Sequence, residues 1–447
     1  MSKLFGTDGV RGRANHYPMI PELIVRIGRA VAHYVPGRSD RAPRVIIGKD
    51  TRLSGYMIEN SLVAGLLSHG ADAILVGPVP TPGLAHLTRS MAADAGIMIT
   101  ASHNPSCDNG IKIFDRDGFK LTNELEAAIE KMVLSEKVEN GPERVGRARR
   151  IENAAARYVE FAKASVAEFS LDGLRIVLDC ANGAAYKVGP MIFEELGAEV
   201  DDLATSPNGT NINENCGATS PARCRARVLE TGADIGIMFD GDADRVLFVD
   251  SNGHLVDGDA ILGLLAADYH SRGVLKHDTL VATVMTNLGL DRALEAKGIK
   301  TIRTAVGDRN VIEAMRDGGF SLGGENSGHI ISLAHTTTGD AIVSGLQVLR
   351  ILLNNPGKSL SDLTMFVKLF PSKLVNIKVK SKPAIEDVPE LMAALTECEE
   401  TLGRDGRHLV RYSGTENLIR ILVEASTEEQ VQEWSGKLVA VTRAALT

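Results

Sequence analysis

A strand–loop–helix–strand pattern occurs three times along this 447-residue chain. Each copy begins with a short apolar run, and these runs are residues 44–48, 174–178 and 279–284. A glycine follows the helical part of each copy, as is typical where a helix ends in a residue with the left-handed backbone conformation. These glycines are Gly70, Gly197 and Gly298. Such units build mostly parallel sheets with helices on both faces. The sequence therefore predicts an α/β protein with three related, mixed-sheet domains.

The C-terminal part of the chain has a different pattern. Residues 366–379 are rich in strand-forming residues, 384–402 are helical, 408–425 read as a hairpin and 428–446 as an amphipathic helix. We expect a smaller α+β domain here. The connections between strands predict four domains, at residues 1–155, 156–255, 256–367 and 368–447.

Composition excludes several classes of protein. The net charge of −8 argues against a nucleic-acid binder, because phosphate backbones select for an excess of Lys and Arg. No apolar run approaches the ~20 residues of a membrane helix, and no signal peptide is evident, so we expect a cytoplasmic protein without a membrane partner. The five cysteines form no C-x-x-C motif, which argues against a disulfide framework or a zinc site.

A serine follows the apolar run 95–100, in the segment Thr100-Ala-Ser-His-Asn-Pro105. The run predicts a buried strand, and Pro105 stops its regular continuation. Ser102 thus lies in a loop at the carboxyl end of a strand, where open α/β sheets bind ligands. No G-x-S-x-G hydrolase elbow surrounds it, while His103 and Lys112 lie nearby in the sequence. We predict that Ser102 is a nucleophile of another kind.

Three aspartates alternate in the loop between the apolar runs 235–239 and 246–249, namely Asp240, Asp242 and Asp244. Alternate residues of an extended loop project the same way, so three carboxylates converge and repel unless a cation lies among them. An all-oxygen ligand set suits Mg²⁺. An EF-hand is excluded because its sixth position holds Arg245 and its twelfth holds Ser251. The sequence predicts one Mg²⁺ per chain, with a plain acidic turn as the alternative.

Two further segments suit a phosphorylated sugar. In the Gly-rich segment 323–329, Glu325 and Ser327 offer hydrogen bonds to sugar hydroxyls, and His329 is a candidate acid or base. A Gly-rich turn with incidental polar side chains is the alternative. In segment 411–417, an arginine, two hydroxyls and loop amides make a candidate phosphate cradle of Arg411, Ser413, Gly414 and Thr415, with Arg420 further on. An ordinary hairpin turn is the alternative.

Together these segments indicate phosphoryl transfer in one cleft ringed by four domains, because clefts between domains commonly bind ligands. Ser102 is the nucleophile, Mg²⁺ neutralises developing charge, and the cations hold the substrate. Lys112 and His329 are both candidates for proton transfer, and the choice between them stays open. Arg11, in the Gly-rich basic segment 5–13, is a candidate for anion contact, whereas a flexible N-terminus is the alternative.

These four motifs, in this order and over essentially the whole chain, resemble the α-D-phosphohexomutase family. Segments 5–12, 179–183 and 207–213 resemble its amino-sugar branch. The resemblance implies a phosphoserine at Ser102, Mg²⁺ bound by that phosphate and the three aspartates, sugar contacts from Glu325 and Ser327, and phosphate contacts from the Arg411 segment. Ala243 stands where the family usually has glycine, at a cost of about 1 kcal/mol if its φ is positive.

The implied reaction interconverts glucosamine 6-phosphate and glucosamine 1-phosphate through a hexosamine 1,6-bisphosphate, on the way to UDP-N-acetylglucosamine and cell-wall precursors. The partner is then a small phosphosugar, and a homodimer stays open. The alternatives are a phosphomannomutase/phosphoglucomutase, a metal-dependent sugar phosphatase with Ser102 as transient nucleophile, and a non-catalytic phosphosugar sensor. Because the serine and the metal loop are both intact, the sensor is disfavoured.

Overall fold

A computed structural model describes residues 4–37, 41–135, 141–166, 169–413 and 417–447. The chain forms two compact units. The first comprises Met1–Met285 and Ile299–Met365, and the second comprises Thr286–Gly298 and Phe366–Thr447. The four domain boundaries and the central cleft expected from the sequence stay predictions. No helix among the described residues has the combined length and apolar character that crossing a bilayer requires.

The first sheet has six strands: β1 (Val10–Arg13), β2 (Arg44–Lys49), β3 (Asp72–Pro78), β4 (Ala95–Ile99), β5 (Asp108–Asp115) and β6 (Ala148–Arg150). Their spatial order is β1-β5-β4-β2-β3-β6. β4, β2, β3 and β6 run parallel, whereas β5 is antiparallel to β4 and β1. The helices of this region are α1 (Pro21–Tyr34), α2 (Gly55–Ser68), α3 (Thr81–Ser90), α4 (Asn123–Val133) and α5 (Ala154–Ala164). Every residue of β4 is buried, as expected of a parallel strand covered on both faces.

The second sheet has the order β11-β10-β9-β7-β8. It contains β7 (Arg175–Asp179), β8 (Glu199–Leu203), β9 (Ile235–Phe239), β10 (Val246–Asp250) and β11 (Leu255–Val256), with helices α6 (Val188–Glu195) and α7 (Ala222–Thr231). The third sheet has the order β13-β12-β14-β15. It contains β12 (Thr279–Thr283), β13 (Lys300–Thr304), β14 (Leu322–Gly324) and β15 (Ile330–Ser332). The helices in this part of the sequence are α8 (Gly258–Ser271), α9 (Leu288–Glu295), α10 (Asp308–Gly318), α11 (Ala341–Leu353) and α12 (Leu360–Thr364).

The three sheets share one arrangement. Each contains three consecutive strands of the chain that run parallel side by side, and the next strand pairs antiparallel with the third of them; the first sheet adds β6 as a fourth parallel strand. The resulting hairpins are β4–β5, β9–β10 and β14–β15. The loops of the three hairpins contain, in turn, Ser102, the three aspartates and Glu325 with Ser327. The predicted fold class of related mixed α/β sheets is therefore confirmed, and the three predicted reactive segments occupy the same place in each sheet.

The predicted glycines also have the expected conformation. Gly70, Gly197 and Gly298 have φ of 81°, 100° and 76°, in the left-handed region that only glycine enters without strain. Each follows a helix and precedes the next strand of its repeat, because a left-handed residue turns the chain away from the helix axis.

The second unit contains the smaller α+β fold that the sequence predicts. Its antiparallel sheet has the order β16-β18-β17, from β16 (Ser372–Lys378), β17 (Gly406–Tyr412) and β18 (Leu418–Ala425). Helices α13 (Pro389–Leu402) and α14 (Glu428–Leu446) cover it. The apolar side chains of Leu391, Ile421, Trp434 and Leu438 belong to its core. Thr427 caps α14 by accepting a hydrogen bond from the Gln430 amide.

A buried Tyr–Asp pair joins α5 to the start of α11 in the first unit. The Tyr158 hydroxyl donates to Asp340 Oδ1 at 2.8 Å, and the same carboxylate oxygen accepts from the Val343 amide at 3.0 Å. Burial raises the pKa of Asp340 to about 6, although Val343, Tyr158 and Ile342 donate hydrogen bonds that favour the charged form.

We expect Asp340→Asn to raise the thermal stability more at pH 7.5 than at pH 5. A carboxyl whose folded pKa exceeds its unfolded value is favoured when protonated, so its contribution to stability falls as the pH rises from about 4 to about 6. The amide avoids this ionisation and still caps α11, so its advantage should grow by ~1–2 kcal/mol between the two pH values. The Tm of both proteins at each pH measures this, and an equal or smaller gain at pH 7.5 contradicts it.

Candidate active site

Ser102 lies in the loop after β4 with a strained backbone. Its φ of 51° is in the left-handed region, which costs a non-glycine residue about 1–2 kcal/mol, and only 1% of the residue is exposed. Its Oγ donates a hydrogen bond of 2.6 Å to Asp240 Oδ2, and its amide donates to Thr100 Oγ1 at 2.9 Å. The structure thus brings the predicted nucleophile onto the first of the predicted metal ligands, which lies 138 residues away in the sequence.

The three aspartates converge as the alternating pattern predicts. One ligand atom from each of Asp240, Asp242 and Asp244 lies within 4.8 Å of the others, and all three residues are buried. Burial and the charges of Asp244 and Asp242 raise the pKa of Asp240 to about 8. Asp242 Oδ1 is buried and has no hydrogen-bond partner among the described residues. Carboxylate oxygens, mutual repulsion and an unpartnered oxygen together fit a hard divalent cation such as Mg²⁺.

Ala243, which stands where the family usually has glycine, belongs to this loop. Its φ is 54°, so the alanine adopts a left-handed conformation that glycine would enter more easily. The turn is nevertheless held from both ends: the Ala243 amide donates to the Asp240 carbonyl, and the Ala243 carbonyl accepts from the Ala341 amide at the start of α11. The alanine therefore costs stability without moving a carboxylate out of the triad.

Lys112 contacts two members of the triad. Its Nζ lies 2.7 Å from Asp242 Oδ2 and 2.9 Å from Asp244 Oδ2, and the residue is 2% exposed. Burial lowers the pKa of Lys112, but the charges of Asp242 and Asp244 outweigh burial and raise it above its usual value. Lys112 therefore carries a positive charge beside the carboxylates.

His329 lies between two carboxylates. Its Nδ1 is 3.5 Å from Asp244 Oδ1, and its Nε2 is 3.6 Å from Asp308 Oδ2. Burial lowers the pKa of His329, but Asp244 and Asp308 outweigh burial and raise it, so the protonated ring is favoured. Its Nε2 has no hydrogen-bond partner among the described residues. The structure brings both sequence-predicted proton-transfer candidates, Lys112 and His329, to Asp244.

His103 lies beside Ser102, and the charge of Arg11 acts on the His103 ring. His103 Nδ1 is 3.3 Å from Ser102 Oγ and 3.1 Å from Arg245 Nη1. Burial, together with the charges of Arg245 and Arg11, lowers the pKa of His103 to about 4, so its ring is neutral at pH 7. Arg11 belongs to β1 and lies opposite Gly110 of β5, with its Nη2 3.4 Å from Asp8 Oδ2. The N-terminal segment around Arg11 is therefore an ordered strand rather than a flexible end.

The predicted sugar-binding side chains follow β14. Glu325 Oε1 accepts a hydrogen bond of 3.0 Å from the Gly307 amide, and the Glu325 amide donates to the His329 carbonyl. Ser327 Oγ is buried without a hydrogen-bond partner among the residues that the structure describes. An oriented carboxylate and an unpartnered hydroxyl are groups that can bind the hydroxyls of a sugar.

In the second unit, two arginines face each other across a hairpin. Arg411 of β17 lies directly opposite Arg420 of β18. Burial and the charge of Arg420 lower the pKa of Arg411. Ser413 is buried, and its carbonyl accepts a 2.7 Å hydrogen bond from Lys382 Nζ, a third cation that sequence reasoning did not identify. Like charges directly opposite in a sheet are destabilising, and an anion between them relieves the repulsion. Gly414 and Thr415 lie outside the described residues.

Sequence reasoning also missed the residues that hold the serine loop. The Arg52 guanidinium is fully buried and donates to the carbonyls of Ser102 and Asn104 at 2.9 and 2.8 Å, and also to those of Pro105 and Asp108. Asp50 accepts from Arg52 Nε at 2.8 Å and from the Thr100 hydroxyl at 2.8 Å. Both residues follow β2, at the same edge of the first sheet as Ser102, and that position was the available signal.

Comparison with known proteins accounts for nearly the whole chain. Four parts match phosphoglucomutase/phosphomannomutase: alpha/beta/alpha domain I over residues 2–140, domain II over 156–253, domain III over 257–370 and the C-terminal domain over 374–441. The phosphoglucosamine mutase of Pelobacter propionicus is 52% identical in an alignment of 447 residues that covers 99% of this chain and 98% of that protein.

Solved structures agree with this at the level of fold. A phosphoglucomutase/phosphomannomutase family protein from Burkholderia thailandensis superposes with a TM-score of 0.83 at 24% identity, covering 99% of this chain and 97% of its own. N-acetylphosphoglucosamine mutase of Aspergillus fumigatus, solved with GlcNAc-6P and magnesium, gives 0.69 at 19% identity, with 99% and 96% covered. The chain therefore belongs to the phosphoglucomutase/phosphomannomutase family, and it matches a phosphoglucosamine mutase of that family over its full length.

Proposed function

We propose that this chain interconverts glucosamine 6-phosphate and glucosamine 1-phosphate, with Ser102 carrying the transferable phosphoryl group. The observation that carries the proposal is the 2.6 Å hydrogen bond from Ser102 Oγ to Asp240 within the aspartate triad. The relationship to phosphoglucosamine mutases supports the choice of substrate and disfavours the phosphomannomutase/phosphoglucomutase alternative. The product would supply UDP-N-acetylglucosamine synthesis.

The proposed reaction has two phosphoryl transfers. In the first, the bond between phosphorus and Ser102 Oγ breaks, a sugar hydroxyl oxygen bonds to phosphorus, and the hydroxyl proton ends on Ser102 Oγ by way of a protein group. The hexosamine 1,6-bisphosphate then reorients in the site. In the second transfer, Ser102 Oγ takes the phosphoryl group from the other sugar oxygen, and the Ser102 proton returns to that oxygen. Splitting the isomerisation in this way avoids bringing two distant sugar oxygens into line around one phosphorus.

The proposed Mg²⁺ ligands are Asp240, Asp242, Asp244 and a phosphate oxygen on Ser102. When bound, Mg²⁺ would neutralise charge that develops on the transferring phosphoryl group. Lys112 adds a fixed positive charge, because its ammonium contacts two of these carboxylates. We assign proton transfer to His329, because its Nε2 has no hydrogen-bond partner among the described residues. Arg11 and His103 would contact the phosphoryl group at Ser102.

The sugar would be bound by Glu325 and Ser327. The carboxylate of Glu325 is oriented by the Gly307 amide, and the Ser327 hydroxyl has unused hydrogen-bonding capacity. Asn326 lies between them and is exposed, so its amide oxygen can accept a hydrogen bond from an ammonium group at C2 of the sugar. With Asn326 at the middle position, these three residues suit an amino sugar better than they would with an apolar side chain there.

The phosphate that is not being transferred would be held by Arg411, Arg420 and Ser413, with Gly414 and Thr415. Because either phosphate must fit in turn, a site built from paired positive charges suits the task better than one of strict shape. A monophosphatase has no need of such a second site. A bisphosphate intermediate, a homodimer and a cytoplasmic location stay predictions.

We expect Arg411→Ala to lower kcat/KM by about 10–100-fold, because it removes one charge-assisted contact worth on the order of 1.5–3 kcal/mol. The kcat/KM of Arg411→Lys should lie between those of the wild type and Arg411→Ala, because lysine keeps the positive charge but lacks the planar set of donors of a guanidinium. Steady-state kinetics on glucosamine 6-phosphate measure both. Arg404→Ala is the matched control, because Arg404 is an exposed arginine of the same unit. Full activity of Arg411→Ala would remove Arg411 from the site.

The function itself is tested by a coupled assay on glucosamine, glucose and mannose 6-phosphates, with Mg²⁺ and a trace of hexose 1,6-bisphosphate. We expect the highest kcat/KM on glucosamine 6-phosphate and no free phosphate. Equal rates on all three sugars would indicate a phosphomannomutase/phosphoglucomutase, and phosphate release that matches substrate loss would indicate a phosphatase. Ser102→Ala, purified in parallel, controls for a contaminating enzyme.

A further inference from the structure

Segment 207–215, between β8 and α7, contacts the serine loop through the side chain of Asn213. Asn213 Nδ2 donates to the carbonyl oxygens of Ser102 and Asn104, at 2.9 and 3.1 Å. Arg52 donates to the same two carbonyls from elsewhere. Each carbonyl therefore accepts two hydrogen bonds, which fix the direction of the peptide plane after Ser102 and of the peptide plane after Asn104.

The metal loop lies against the same point. A Cβ atom placed on Gly241 would be 2.5 Å from the Ser102 carbonyl oxygen and 2.8 Å from Asn213 Nδ2, so the glycine permits a backbone contact that no other residue allows. The Asn213 amide thus lies where the serine loop and the aspartate loop meet.

Asn213 is also a costly choice for stability alone. Its φ is 58°, in the left-handed region that asparagine tolerates better than most residues. Its Oδ1 is buried without a hydrogen-bond partner among the described residues, which leaves a desolvated acceptor unsatisfied. The donor side of the amide is fully used and the acceptor side is not, which is the pattern expected if the residue is present for its two bonds to the serine loop.

We propose that Asn213 is a positioning residue for phosphoryl transfer, one that holds the left-handed Ser102 so that Oγ points into the aspartate triad. The inference rests on the proposed role of Ser102. Ser102 must give up and regain a phosphoryl group in each cycle, so its backbone has to keep one strained conformation in two charge states. Because its φ is 51°, Ser102 would relax toward ordinary backbone angles if its carbonyl were free to move. The hydrogen bonds from Asn213 and Arg52 hold that carbonyl in place.

Two variants separate the hydrogen bonds from the backbone conformation. Asn213→Gly accepts the positive φ and removes both bonds, while Asn213→Asp keeps the shape and places a carboxylate against two carbonyl oxygens. Asn215→Asp is the matched control, because Asn215 has a φ of 52°, is exposed and undergoes the same change of charge two residues away. Arg52 is a poor target, because it is fully buried beside Asp50.

The measurement uses the full dephosphorylated chain with Mg²⁺, mixed with glucose 1,6-bisphosphate and followed by intact mass. One phosphoryl group leaves a sugar oxygen for Ser102 Oγ, and the Oγ proton ends on the freed sugar hydroxyl. We expect about a 10-fold slower transfer for Asn213→Gly and a larger loss for Asn213→Asp. The KM in steady state and the Tm shift on adding Mg²⁺ should stay near wild type, because Asn213 is neither a proposed substrate contact nor a proposed metal ligand. Asn215→Asp should transfer within about twofold of wild type.

Transfer at the wild-type rate in both Asn213 variants overturns the inference, as does an equal loss in Asn215→Asp. Loss of the Mg²⁺-dependent Tm shift in Asn213→Gly would also overturn it, because the residue would then act on the fold or the metal loop as a whole. A wild type that takes the phosphoryl group on Ser102 but does not isomerise glucosamine 6-phosphate refutes the proposed function and leaves the variant comparison intact. A wild type that takes no phosphoryl group refutes both.

Discussion

Ser102→Ala is expected to abolish turnover, with kcat falling by on the order of 10⁴-fold or more. The substitution removes the oxygen that would carry the phosphoryl group and donates to Asp240 at 2.6 Å, and no other side-chain hydroxyl is assigned that role. Intact mass should show one phosphate on the active wild type and none on the variant. The coupled assay and peptide mass mapping to Ser102 are the two readouts.

Ser106→Ala is the control for this prediction, because it makes the same change four residues further along the same loop. It should keep both the phosphate and the activity. An active, unphosphorylated wild-type Ser102 would contradict the proposed reservoir role, since the cycle would then run without a phosphoenzyme.

Asp240→Asn should have opposite effects on activity and on the stability of the metal-free protein. Loss of one carboxylate from the triad should lower kcat/KM by on the order of 10²–10³-fold, because the cation would lose a ligand beside the reacting oxygen. Without metal, burial and the charges of Asp244 and Asp242 raise the pKa of Asp240 to about 8, so this carboxyl must take up a proton when the chain folds at pH 7. The amide avoids that cost, so the Tm should rise by about 2–4 °C. Thermal melts with EDTA and with Mg²⁺ measure both sides of this prediction.

Asp317→Asn, an exposed aspartate on α10, controls for the general effect of losing one negative charge. It should change neither the activity nor the Mg²⁺-dependent shift. If metal-free Asp240→Asn melts below the wild type, this prediction is wrong. Asp240 would then stabilise the metal-free fold through its hydrogen bonds with Ser102 and the Arg245 amide.

The sequence predicts the reactive loops well because their signals are local. A buried apolar run ending in Ser102, three alternating aspartates between two strands and a Gly-rich segment with Glu325 are all visible within a few residues. The architecture then brings the serine and the aspartates together, because each loop closes a hairpin at the same side of its sheet. The resemblance to a family adds the order of the motifs, which local pattern alone does not interpret.

The supporting residues could not be read from local pattern. Arg52 contacts carbonyls about fifty residues away, and Asn213 contacts the Ser102 carbonyl 111 residues away. Neither pairing leaves a periodicity or spacing in the sequence. The left-handed φ of Ser102 is equally hidden, because serine has no preference for that region and is held there by tertiary hydrogen bonds.

The shared hairpin position of the three loops has a consequence for how the chain folds. Closing β4 with β5 joins strands separated by a short loop, whereas pairing β2 with β3 requires a helical crossover in between. The entropy lost on closure grows with the length of chain enclosed, so the hairpins are the fast elements and the parallel pairs the slow ones. Each hairpin would therefore form early, whereas the serine loop would take its final shape only later, when the distant side chains of Arg52 and Asn213 reach its carbonyls.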